Sequence, residues 1–584
     1  MKFIDELKRR NVIKATIAYI VVSWVLLQFF EIVLPHLESP PWVLKTLMFV
    51  ITIGFPIWII FSWVYEFTPE GFKKTINISK EKSITAATNK RLNIIIIIAL
   101  VIAIGVSFVN KPMSDTSSKT IVNNDLISVN SIAVIPFKNL SDNKENQYFA
   151  DGMMDDILNH LSSIQALEVK SRLSSERYRD SNKSSYEIGK ELGVSYILEG
   201  SVQMHKDSIR FIVQLVDAIN DNHLWSDKYD FKLKNIFAIQ SEISKQIAVK
   251  LNTAIPRIGI GENEKRLTEN IEAYNLYLKG RFFWHLRTEK DLNISIYYYK
   301  KALELDSIYA LAYAGLADSY FIKAWRGWIE KNEGLEKGKE FAQKALTINN
   351  NIAEAHATLG GIKTYYEWKW KEAESELKLA ISLNPNDAVS HQYYSELLDI
   401  LGRNEEAREQ IDLALELNPY SSIMNSLSAL YYYNSNDYYK SIDAHKRAKH
   451  LANSNNDYDK LHLIRCFLNL GKNKEALELI KDVISIDNHQ LLDKILMESG
   501  IKGVINWFID YILVNKQNSD LNFHIARFYS LIGDSQNALK YLEYFFEEGH
   551  IAVPRINNSS EFSFIRTEPR FIALLNKMNL VDYQ

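Results

Sequence analysis

Residues 373–419, AESELKLAISLNPNDAVSHQYYSELLDILGRNEEAREQIDLALELNP, contain one phrase twice, and the spacing between the copies decides the architecture. ELKLAISLNP ends at Pro385 and QIDLALELNP at Pro419, 34 residues later. Small residues keep the same offsets, Ala373 and Ala380 before the first proline, Ala407 and Ala414 before the second. Thirty-four residues make two helices and their turns; small side chains let the paired helices approach, and proline or asparagine stops the second helix. Working outward, Ser441 and Ala448 take the small positions before Asn453. Gly402 ahead of Ala407 recurs as Gly471 ahead of Ala476 and Gly533 ahead of Ala538. Upstream, KKALELDS and QKALTINN end two further units, and the frame predicts about seven helix-turn-helix units over residues 270–550. Insertions enlarge the first two units, one of them filled by Trp325, Trp328 and the GWIEKNEG stretch.

This pattern resembles tetratricopeptide repeats. Each such unit buries its face only against its neighbours, so the expected form is an all-α solenoid with a concave groove. The resemblance implies that the first helix of each unit lines that groove. Counting in the frame gives Gln392, Glu396 and Asp399 in one unit, Tyr433 in the next, then Arg465 and Arg527, as candidate partner-binding residues. Trp368 and Trp370 are read as packing between helices. Residues 551–584 are expected to cap the array, with FSFIRTEPRFIALLNKMNL resembling a closing helix.

Ahead of the repeats, residues 130–255 have a different texture, and residues 256–269 (with PRIGIGENE) read as a linker whose glycines are hinges. Ile132–Phe137 is a short β-branched run predicting a buried strand, and Phe149–Ile164 has helical spacing through Met153, Ile157 and Leu161. A strand at 167–170, a helix at 186–192 closed by Gly193, strands at 195–203, 209–217 and 223–229, and a helix at 236–251 complete a small α/β unit. Lys206-Asp207 is expected to form a tight hairpin. SIAVIPFKNLSDNKENQYFADGMMDDI, YEIGKELGVSYILEGSV, HLWSDKYD and IFAIQSEIS resemble the domain related to the TolB N-terminal domain and to FlgO. That resemblance implies a non-catalytic interaction domain set between a membrane anchor and repeats. Some relatives carry a nucleotide cyclase or a winged-helix DNA-binding domain before the membrane segment; neither is expected here. Asp151, Asp155 and Asp156 lie near a helix start, where carboxylates complement the dipole, a role preferred over metal binding. Trp225 is read as a core or sheet-edge aromatic.

Residues 1–110 contain three apolar stretches, about 15–34, 46–65 and 92–109, each approaching the ~20 residues that cross a bilayer. Lysine and arginine cluster before the first stretch and between the second and third, so the positive-inside rule predicts a cytoplasmic N-terminus and periplasmic C-terminal domains. The expectation is a multi-pass bacterial inner-membrane protein held in lipid by three helices, with residues 111–129 a polar linker.

The chain of 584 residues has net charge −3, and residues 111–584 are acidic, which gives no footprint for nucleic acid. Cys466 is the only cysteine; it excludes an intramolecular disulfide and sits in a helical apolar pattern, so it reads as a buried thiol. HExxH, GxSxG, Walker A, CxxC and EF-hand motifs are missing. No catalytic, cofactor-binding or metal-ligating residues are therefore assigned. The expected function is a non-enzymatic scaffold or signalling protein binding protein or peptide partners through the repeat groove. The alternative is an envelope enzyme or small-molecule sensor with a site in the TolB-like domain.

Overall fold

The computed structural model describes residues 128–584, apart from residues 165, 237–241, 244–245, 248, 251–267, 453–456, 516–520 and 584. Before residue 128 it describes two short strands and scattered helical residues between 16 and 58. The chain divides into two compact units, Met1–Val122 and Asn123–Gln584.

In the first unit, β1 (Tyr65–Thr68) pairs antiparallel with β2 (Gly71–Lys74), Tyr65 opposite Lys74. Separately, the Tyr19 hydroxyl donates to the Ile51 carbonyl at 2.8 Å. No helix among the described residues is long and apolar enough to cross a membrane. Crossing needs ~20 apolar residues in one continuous helix, and Tyr65, expected to end the second span, instead starts a hairpin strand. The expectation of three transmembrane helices is overturned on this finding, and with it the multi-pass inner-membrane location, the orientation and the lipid contact. Most of residues 15–34 and 46–65, and all of 92–109, lie outside the described residues.

The second unit opens with a mixed sheet. β3 (Ser128–Val134) runs parallel to β5 (Glu168–Val169) on one side and to β6 (Val194–His205) on the other. β6, β7 (Ser208–Asp217) and β8 (Asn222–Lys232) continue as an antiparallel meander, and β4 (Lys138–Asn139) also pairs with β6. Lys206 takes φ 52° at the β6–β7 turn, as a tight hairpin requires. Alternation along β7 turns Ile209, Phe211, Val213 and Leu215 to the core. They meet Phe149, Met153, Ile157 and Leu161, one face of α1 (Gln147–Ser162). α2 (Arg172–Glu176), short and capped by Ser171, was not evident from the sequence. α3 (Ser185–Leu192) starts in a Ser184/Glu187 capping box and ends at Gly193, whose φ of 66° suits glycine.

The rest is helical. α4 (Ile271–Leu286) packs on α5 (Glu289–Leu305), α6 (Ala310–Trp325) on α7 (Lys331–Ile348), and α8 (Ala353–Ile362) on α9 (Trp370–Leu383). α10 (Ala388–Ile400) with α11 (Asn404–Leu417), α12 (Ser422–Asn434) with α13 (Tyr438–Ala452), and α14 (Asp457–Asn469) with α15 (Asn473–Lys481) continue the series. α16 (His489–Asn515), broken at Gly500, interrupts it before α17 (Leu521–Ile532) and α18 (Ser535–Glu547). Ala373, Ala380, Ala407 and Ala414 are all buried at the helix crossings, which explains their spacing. Closer approach needs glycine: a Cβ on Gly280 or on Gly315 would lie 2.5 Å from the Tyr299 ring that fits between them. From α4 to α12 the first helices of successive pairs touch one another, as in a tetratricopeptide-type solenoid, so they line its inner face.

The α/β domain and the repeats share one core, in which Ile157 and Val134 join Leu278, Ile296 and Tyr299. Turn residues of the repeats fasten the contact. Asn386 donates to the Ser162 and Leu167 carbonyls, both at 2.9 Å, and accepts from Val169 N at 3.0 Å. One repeat further on, Ser174 Oγ donates to Asn418 Oδ1 at 2.9 Å and Tyr420 donates to the Glu191 carbonyl at 3.1 Å.

Candidate functional site: the inner face of the repeats

The inner face divides into a filled half and an open half. Two 3-10 turns, Val553–Asn557 and Ser560–Ile565, and α19 (Pro569–Lys577) fold back from the end of the array. Val553, Ile556, Phe562 and Ile565 are buried in one cluster with Leu398, Leu427, Tyr431 and Phe523 of the repeats. Burying such a side chain is worth ~1.5–3 kcal/mol, so this segment is part of the core.

The six sequence candidates all lie under or beside it, none more than 8% exposed. Glu396 accepts from Gln392 Nε2 at 3.0 Å and is ion-paired with Arg555. Asp399 accepts from Asn558 Nδ2 at 2.8 Å, and burial, stronger here than the pull of Arg555, raises its carboxyl pKa. Glu561 is held between Arg465 and Arg527, with Arg527 Nε 3.2 Å from its carboxylate. Burial works against the Glu561 charge, but the two guanidiniums outweigh it and hold the pKa below the ordinary value. Tyr433 lies under Arg465, whose guanidinium is 5.0 Å from the ring centroid, and accepts from Asn469 Nδ2 at 2.8 Å. The chain's own C-terminal segment thus engages Glu396, Asp399, Arg465 and Arg527 directly. Trp370 packs between helices, its indole N–H donating to Met578 and Asn579 carbonyls at 3.0 Å.

Toward the N-terminal end, α4, α6, α8 and α10 leave a cavity of about 80 Å³. Tyr277, Trp284 and Tyr393 wall it, and Asp318, Glu354 and Asp387 bring carboxylates to it. Arg281 and Arg287 also reach it; Arg287 stacks 3.6 Å from the Trp284 ring centroid. Burial raises the Asp318 and Glu354 pKa values, with Arg287 and Arg281 opposing it at Asp318 and Arg281 at Glu354. Sequence reading missed Tyr277, Arg281, Trp284 and Asp318 because insertions in the first two units break the 34-residue frame, and it passed over Glu354, Asp387 and Tyr393 in the regular units. The signal was available in ALAYAGLADSYF, where Asp318 sits one turn after Ala314 on a first helix.

The acidic residues of α1 are engaged internally. Asp155 pairs with Arg172 at 2.6 Å and with His285 at 2.9 Å; Asp151 pairs with Arg179 at 2.9 Å. Burial is the largest influence on Asp155, yet Arg172, His285 and Arg281 together hold its pKa far below the usual range. Burial drives the His285 imidazole down to about 3, so it stays neutral. No group of three or more metal-ligating side chains occurs among the described residues.

Residues 128–246 match the family model described as "HilA/YgeH-like transcriptional regulator, second domain", which covers the sheet and its helices. The transcriptional regulator HilA of Salmonella typhimurium is 26% identical over 52% of this chain and 54% of its own. A Rhizobium meliloti protein named as an adenylate cyclase is 34% identical over 39% of each chain. The chain therefore spans about half the length of the first and less of the second. Among solved structures, PilF of Pseudomonas aeruginosa aligns over 38% of this chain and 97% of its own, at 19% identity and TM-score 0.30. A tetratricopeptide repeat protein of Parabacteroides merdae aligns over 50% of this chain and 99% of its own, at 14% identity and TM-score 0.30. The α/β domain of this chain is thus similar to the second domain of HilA-type regulators, and the helices that follow it form a tetratricopeptide-type solenoid.

Proposed function

We propose that this chain is a non-enzymatic scaffold that binds a protein partner through the open half of its repeat face. One observation carries the reading. The inner face already holds a polypeptide segment, residues 553–565, by buried apolar side chains and by ion pairs to first-helix residues. A surface that holds one such segment has the chemistry to hold another where it is vacant. Gln392, Glu396, Asp399, Tyr433, Arg465 and Arg527 then serve the internal segment, and the partner takes the neighbouring positions. The alternative of an enzymatic or sensory site in the α/β domain draws no support from Asp151 and Asp155, which are spent on arginines. The chain spans 54% of the regulator's length and 39% of the cyclase's, and neither regulator nor cyclase activity is carried over.

The test is site-specific photo-crosslinking in cells. A benzoyl-phenylalanine at Val389, on the wall of the open cavity, is expected to yield a discrete protein adduct. The same group at Leu379 or Leu413, exposed on second helices, is expected to yield none. Adducts of equal intensity at all three positions would refute the proposal.

A further inference from the structure

We infer that the cavity in the open half takes the lysine or arginine side chain of an extended partner segment, between the Asp318 and Glu354 carboxylates and the rings of Tyr277 and Tyr393. The inference rests on the partner-binding reading above and names the chemistry that is recognised.

Three lining carboxylates face two guanidiniums, and the bookkeeping of partners leaves the acids in excess. Arg281 is drawn to Asp155, its Nε 3.6 Å from Oδ2. Arg287 lies flat on Trp284. Asp387 is occupied as the N-cap of α10, accepting from Val389 N at 3.3 Å and Ser390 N at 3.0 Å. Asp318 and Glu354 have no direct ion pair within 4.0 Å among the described residues; Arg287 and Arg281 act on Asp318, and Arg281 on Glu354, only from a greater distance. Both are half-buried, so the cavity opens to solvent while holding its charges away from bulk water.

A cation completes this arrangement in two ways. It makes charge-assisted hydrogen bonds to the two carboxylates, and it meets aromatic faces that attract positive charge. An anion would have to displace Arg287 from Trp284 while approaching three acids. Size narrows the choice further. A cavity of about 80 Å³ admits the head of a side chain, since one water needs only ~10–15 Å³ of such space. The occupant is therefore a basic side chain projecting from a polypeptide that lies along the inner face, in line with the internal segment.

The experiment uses the full chain and a phage-displayed library of random peptides. Enriched peptides are synthesised and titrated by calorimetry against the wild type and against D318N/E354Q. The expected result is a basic residue common to the enriched peptides. Replacing it with norleucine weakens binding about tenfold to the wild type and hardly at all to the variant. The norleucine arm uses unaltered protein, so it holds even where the double variant fails to fold. Peptides that bind regardless of the basic residue would overturn the cavity assignment and leave partner binding standing. A library with no enrichment would remove both. Agmatine alone binding as tightly as the peptides would also overturn the assignment, pointing to a small amine as the ligand.

Discussion

Glu561→Gln removes the one negative charge that two buried arginines share. The Glu561 side chain is 3% exposed, Arg465 is 1% and Arg527 is 6%. Leaving one buried charge without its partner costs about 3–5 kcal/mol. Two are affected here, but each keeps an aromatic contact, Arg465 over Tyr433 at 5.0 Å and Arg527 over Phe523 at 3.8 Å. Glutamine also retains an acceptor oxygen. The net destabilisation expected is therefore about 4 kcal/mol, not twice that. It should be read from urea unfolding by tryptophan fluorescence, together with hydrogen exchange of residues 553–565. Replacing all three groups by apolar residues (Arg465→Met, Arg527→Leu, Glu561→Leu) should recover most of the loss, because no charge is then stranded. The carboxylate pKa is lowered by folding. Its stabilisation is thus present above about pH 4.5 and lost as pH falls through the folded value; Glu561→Gln should flatten that part of the profile. A Glu561→Gln protein within about 1 kcal/mol of wild type, or a triple variant no better than the single one, would refute the reasoning.

Other perturbations have equally direct readouts. Asn386→Ala strands two carbonyls and one N–H at the junction of the α/β domain with the repeats, and should cost about 3 kcal/mol in urea denaturation. Gly315→Ala puts a Cβ 2.5 Å from the Tyr299 ring; it should cost about 1–3 kcal/mol in thermal unfolding, mostly relieved in a Tyr299→Leu background. Burial lowers the His356 pKa, but its 2.6 Å contact with Glu376 and its bond to the Asn350 carbonyl raise it overall. Its stabilisation is complete below about pH 6.5 and is lost as pH rises through the folded value, so His356→Gln should lose pH dependence above neutrality. The Cys466 thiol is pushed up to about 11 by burial. It should resist a disulfide reagent at pH 8 in the folded chain and react at once in denaturant.

The 34-residue period was legible because it lies within the chain's local order. Ala373, Ala380, Ala407 and Ala414 mark where helices cross, whatever lies outside them. Gln392, Glu396 and Asp399 could be placed on an inner face by the same local argument. What covers them could not be read, since Arg555 and Glu561 come from far along the chain, 159 residues from Glu396 in the first case. The tail was expected to cap the array, and its place over the inner face could not be read from the sequence. Asn386 has a similar history. After a proline it reads as a turn residue, and nothing local says that its amide reaches across to another domain. The apolar stretches before residue 110 misled for the opposite reason. Hydropathy alone records that residues avoid water and does not record whether they form one unbroken helix.

The folded-back C-terminal segment has a consequence for how such a chain is made and how it changes over generations. The carbonyls of Met578 and Asn579 accept from Trp370, and Asn557 bonds both the Ile400 carbonyl and that of Tyr583. An open-ended solenoid can complete each unit as it leaves the ribosome and can gain or lose a unit by duplication or deletion. This one closes over its own middle. Helices α9 and α10 wait for residues 557–579 to be made before their last polar groups are satisfied, and an added unit between them and the clasp would carry it out of reach. The number of units is thereby fixed by the clasp, and variation is confined to the margins that it does not span.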